Sequence, residues 1–135
     1  MTLLVEAIVV CDEVRKEITG KDIIIGAYGD GIVVPAYPAN ITIALWVLIN
    51  STATGNYEGE LRIEAPSDNP PINVGFAMNV VKPELSPMGI SGMPLRLERD
   101  GELVVSFRLK GEPWKRVARR SVIRIPSAPQ QARRN

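Results

Sequence analysis

Short apolar runs separated by Gly, Pro and Asn recur down the chain, and their length and alternation predict strands. Leu3–Val10 and Ile41–Ile49 are apolar on both parities, which predicts two central strands covered on most of their length. Glu58, Glu60, Arg62 and Glu64 alternate with Gly59, Leu61, Ile63 and Ala65, as in a half-buried strand with one wet face. In Ile72–Val81 the core face is Ile72, Val74, Phe76, Met78 and Val80, while Asn73, Gly75, Ala77, Asn79 and Val81 form a small or polar face.

Turn chemistry supplies the connections. Gly20 predicts a turn from the first strand into Ile23–Tyr28, and Gly29-Asp30-Gly31 a second hairpin into Ile32–Pro35. Asp100-Gly101 predicts a hairpin joining Leu95–Glu98 to Leu103–Leu109. Pro83–Pro94, with three prolines, reads as a long ordered loop. Residues 114–125 fit two elements. Trp114, Val117, Ala118, Ser121, Val122 and Ile125 have helical spacing, whereas Val122-Ile123-Arg124-Ile125 is strand-like, with Arg119-Arg120 at a bulge. The all-β surroundings favour the strand. The pattern predicts an all-β, single-domain β-sandwich of roughly eight to nine mostly antiparallel strands over residues 1–126, with 127–135 a flexible basic tail.

Composition agrees with a globular domain. The chain has 135 residues, 45% hydrophobic and 23% charged, and its 5% aromatic content leaves a largely aliphatic core. The single cysteine rules out an intrachain disulfide and fits a reducing compartment. The first apolar run has no basic flank and carries Glu6, unlike a secretory signal, and Ile41–Ile49 is too short for a membrane helix. These features predict a cytoplasmic protein with no membrane partner.

The chain has no histidine, which lowers the prior for acid–base or metal chemistry and leans against an enzyme. Its densest polar cluster, Cys11 to Glu17, reads as structural: Cys11 a small buried residue, Asp12 a cap for local backbone N–H groups, Arg15 a partner for a carboxylate across the hairpin. Asp12, Arg15 and Lys21 are singled out as a polar cluster. Asp12, Glu13, Glu17, Asp22 and Asp30 lack calcium-loop spacing, and Gly26, Gly29 and Gly31 do not form a dinucleotide fingerprint. Trp46 lies inside a core run and Trp114 stands alone. No catalytic residue, cofactor site or metal site is assigned.

Charge adds the strongest interaction signal. From Lys110 onward there are eight basic residues and one acidic, +7, against −6 for the preceding chain. Arg116, Arg119, Arg120 and Arg124 form a candidate interaction surface, read as a charged edge that resists sheet pairing or as a protein-facing patch. A two-fold dimer would set each basic end against the other subunit's acidic body.

The opening strand leading into Cys11-Asp12-Glu13-Val14-Arg15, the Gly20-Lys21 turn and Ile24-Ile25-Gly26-Ala27-Tyr28 resembles a family of uncharacterised small bacterial proteins. The resemblance implies a compact β-sandwich of unknown role and brings no catalytic residues. Three functions follow from the sequence in order of support. The first is a non-enzymatic interaction or assembly module, with a protein partner or self-association. The second is nucleic-acid backbone binding through the basic stretch, and the third a hydrolase or calcium module using the acidic turns.

Overall fold

The computed structural model describes residues 3–126, so the tail expected at 127–135 lies outside the described residues. Nine strands follow one another: β1 Leu3–Lys16, β2 Asp22–Ala27, β3 Gly31–Val34, β4 Ala39–Ser51, β5 Gly55–Glu64, β6 Ile72–Val80, β7 Glu84–Leu97, β8 Gly101–Leu109 and β9 Lys115–Arg124. They form a four-stranded sheet, β2-β1-β4-β7, and a five-stranded sheet, β3-β9-β8-β5-β6. Every pairing is antiparallel except β3 with β9. The protein is an all-β, single-domain sandwich, and its last element is the strand that the all-β context favoured.

The core lies between the sheets and is built from alternate residues. Ile43, Leu45, Val47 and Ile49 of β4 face Leu61 and Ile63 of β5 and Leu103, Val105 and Phe107 of β8 within one buried cluster. Each fully buried aliphatic side chain contributes about 1.5–3 kcal/mol of transfer free energy. The two predicted central strands are central: β1 lies between β2 and β4, and β4 between β1 and β7.

The double-sided apolar pattern of β1 has two causes. Val5 and Ala7 pair with Ile49 and Leu48, so Glu6 is an extra residue that flips the parity. Leu3 and Val5 therefore pack inward before the bulge, and Ile8 and Val10 after it. The outer side is covered by the strand's own continuation. Val9 pairs with Trp46, and Lys16, seven residues along, pairs with Asp22. Seven residues of straight strand span ~23 Å. Yet the Trp46 indole Nε1 donates to Asp22 Oδ2 at 2.9 Å. The Val14 backbone also bonds the Ser91 hydroxyl on β7, in both directions. The β1–β2 hairpin thus folds back across its own sheet, and Cys11 and Ala44 beneath it are fully buried. Trp46, expected in the core, is half-buried on this outer side.

Three local expectations fail, two of them because a turn signal does not state which sheet the next strand joins. Asp100-Gly101 is no hairpin, because β7 and β8 lie in different sheets. Neither residue has positive φ, which the tight hairpin turn needs. Gly101 instead lies under Pro66, whose Cβ would be 2.8 Å from an added side chain. Gly29-Asp30-Gly31 likewise carries the chain between sheets: the Tyr28 N–H bonds the Val10 carbonyl, and Asp30 then accepts from the Ser121 N–H beside β9. The loop expected over Pro83–Pro94 is mostly β7, a sheet edge where proline's missing N–H costs no ladder bond on the open side. The Gly20 turn is as expected, with φ +93°.

Candidate interaction surface

The basic stretch is divided by the fold. Arg116 and Ala118 pair with Ser106 and Val105, so the bulge is at Val117 rather than at Arg119-Arg120. Arg119 points outward and pairs with Glu102 at 2.9 Å. Arg120 and Arg124 instead share the parity of the buried Val122. The Arg120 Nε donates to the Tyr28 carbonyl at 3.3 Å, and the Arg124 backbone N–H to Asp100 Oδ1 at 3.1 Å. Nor is β9 an edge along Ser121–Val122, where β3 lies on one side and β8 on the other. Lys110 is paired with Glu58 at 3.2 Å, so part of the charge asymmetry is met within one chain.

The N-terminal polar residues find separate partners. Asp12 accepts from the Tyr28 hydroxyl at 2.8 Å rather than capping backbone N–H groups. Arg15 pairs with Glu13 on its own strand at 2.9 Å rather than across the hairpin, and Lys21 is 3.9 Å from Glu17. The Asp22 side chain is 7% exposed and lies 2.8 Å from the Lys16 ammonium. Hydrogen bonds from Lys16 and then Trp46 hold its carboxyl below the usual range. The Cys11 thiol donates to the Ala44 and Glu13 carbonyls, and burial pushes its pKa up, which favours the unreactive thiol. Among the described residues no three His, Cys, Asp or Glu side chains gather as a metal cluster.

Two tyrosine–carboxylate bonds fasten separate parts of the sandwich. Tyr28 bonds Asp12, and Tyr37 bonds Asp100, which also takes the Arg124 N–H and so joins the Pro35–Pro38 crossing to the end of β9. Desolvation, then the carboxylate bond, pushes each phenol from 10.0 up to about 12. Because the folded pKa is the higher one, this stabilisation is complete below about pH 10 and is lost as pH rises through about 12. Melting temperature should therefore fall over that alkaline window, and the Tyr28→Phe/Tyr37→Phe chain should show a shallower fall. An unchanged slope would remove the two phenols as its source.

The outer face of the five-stranded sheet carries the densest surface network. On β5, Glu58 pairs with Lys110 and Glu60 with Arg108, both at 3.2 Å, and Arg62 lies 3.5 Å from Glu64. Trp114, far from standing alone, has the Arg62 and Arg108 guanidinium carbons 4.3 and 4.2 Å from its ring centroid. Such contacts contribute about 0.5–1 kcal/mol at exposed sites. Beside this network a concavity of about 770 Å³ is lined by residues that include Tyr57, Glu58, Ala77, Asn79, Lys110 and Glu112. Its β6 side is formed by Ala77, Met78 and Asn79, and the outward row of that strand, Asn73, Gly75, Ala77 and Asn79, is small and uncharged.

The four sheet edges differ in their protection. β3 has four residues. β7 carries Pro87, Pro94 and an irregular register opposite Ile43 and Leu45. β2 has six residues, starts at Asp22, whose carboxylate is held by Lys16, and belongs to the folded-back hairpin. β6 has nine residues without charge or proline, in unbroken register with β5 from Ile72 to Val80. An edge of that kind is a ready template for another strand.

The architecture and this surface define a two-sheet all-β domain in which, among the described residues, no strand covers the outer edge of β6. Residues 6–119 match a family of unknown function, DUF6941, and the chain belongs to that family. No curated protein matches the chain.

Proposed function

We propose that this chain is a non-enzymatic interaction and assembly module that binds a protein partner by strand addition at β6. The observation that carries this reading is the free edge of β6, nine residues with neither charge nor proline. Main-chain groups on such an edge supply affinity, and alternating side chains supply selection. The concavity at the Ala77–Asn79 end of β6 gives a partner strand's side chains a place to sit.

A photo-reactive benzoylphenylalanine in place of Ala77 tests it directly, with the same group at Glu102 on β8 as the control. Irradiation of cells producing each chain should give discrete protein adducts from position 77 and none from position 102. No adduct at 77, or the same adducts from both positions, would overturn strand addition at β6.

A further inference from the structure

The order of side chains along β6 is nearly the same read in either direction. Around Phe76 stand Gly75 and Ala77, then Val74 and Met78, then Asn73 and Asn79, then Ile72 and Val80. We infer that the strand added at β6 is β6 of a second copy, antiparallel, with the two-fold axis at Phe76, joining two five-stranded sheets into one. This rests on the strand-addition reading above and names its partner.

A two-fold axis sets each position against its mirror position, so the strand must be complementary to its own reverse. In this register Asn73 faces Asn79 of the second copy, and amide side chains both donate and accept. Gly75 faces Ala77, two small residues that let the backbones approach. On the inward row Val74 faces Met78 and Ile72 faces Val80, extending an apolar layer that is half-exposed at this edge in one chain. Phe76 meets its own copy at the axis.

Charge supports the same partner. Like charges opposite each other across a strand pair are destabilising, and a two-fold axis brings a charge near its own image. β6 has none. The charges next to it on β5 are already neutralised within the chain: Glu58 by Lys110, Glu60 by Arg108, and Arg62 by Glu64. A second copy therefore meets a face without unpaired repulsion. The protected edges β3 and β7 lack this self-matching order and this length of regular strand together.

The test uses the register. Positions 75 and 77 face each other across the axis, both point outward, and a Cβ added at Gly75 meets nothing within 4 Å. Analytical ultracentrifugation of the full chain should show a reversible dimer of the 14.8 kDa protomer. Gly75→Lys/Ala77→Lys makes two like-charged cross-strand pairs and should weaken that dimer about tenfold. Gly75→Lys/Ala77→Glu makes the same two pairs opposite in sign and should return the dimer to native strength or beyond. Unaltered circular dichroism shows that both chains fold. A native chain that remains monomeric to high micromolar concentration overturns the inference. So does a Lys/Glu chain that associates no better than the Lys/Lys chain. If position 77 crosslinks only to a different protein, the second copy is refuted while strand addition stands.

Discussion

Truncating Leu45 to alanine is expected to cost about 2–5 kcal/mol, a large part of the roughly 5–15 kcal/mol that holds a domain of this size folded. Leu45 is fully buried on β4, between Val10 of β1 and Ile90 of β7, and faces the second sheet. Removing its isobutyl group loses transfer free energy and leaves a cavity that two hydrogen-bonded neighbouring strands resist closing. Leu85→Ala is the control, because Leu85 is 55% exposed on β7. That change should stay within about 0.5 kcal/mol. In urea unfolding the Leu45 variant should have a lower midpoint at an unchanged slope. Equal midpoints for the two variants would mean that the β4 row at Leu45 does not form the core.

Leu45 illustrates what the sequence makes legible. The row Ile43, Leu45, Val47 and Ile49 has one period from end to end, and so does the row Leu61, Ile63 on β5, so alternation alone places both inward. In β1 the same rule places the strand as central and covered but cannot say why both parities are apolar: the extra residue Glu6 flips the parity and the folded-back hairpin covers the outer side. Both effects depend on strands that arrive later in the chain. Asp100-Gly101 fails for a related reason. Turn propensity is local, whereas the pairing of β8 with β5 and β9 is set by the buried rows those strands share.

The candidate surface divides along the same line. The absence of charge from Ile72 to Val80 is plain in the sequence, and the small-or-polar row Asn73 to Asn79 follows from alternation. That no strand among the described residues covers β6 is a property of the sheet order alone. The stack of Arg62 and Arg108 on Trp114 draws on β5, β8 and the residue before β9, and no spacing rule joins these positions. The arginines of β9 are legible as a count, but Val117 breaks the parity that would have set Arg116 beside Arg120.

Gly26→Ala carries the other large expected effect. Gly26 has φ +67°, a left-handed conformation that costs an L-residue about 1–2 kcal/mol. An added Cβ would collide with Asp12 Oδ2 and lie 2.8 Å from its Cγ, so the carboxylate must leave its position and release the Tyr28 hydroxyl. A hydrogen bond to a charged group is worth about 1.5–3 kcal/mol, toward the low end where water can replace it. The two effects together predict a loss of about 2–4 kcal/mol. They separate in a double-mutant cycle. Asp12→Ala removes the obstructing carboxylate, so the Gly26→Ala/Asp12→Ala chain should lose less stability than the two single losses added. Phenolate absorbance gives an independent reading: Tyr28, freed from its carboxylate, should ionise below the value of about 12 that it has in the native chain. If the single losses simply add and Tyr28 titrates unchanged, backbone strain is the whole effect and glycine at this position makes no room for Asp12.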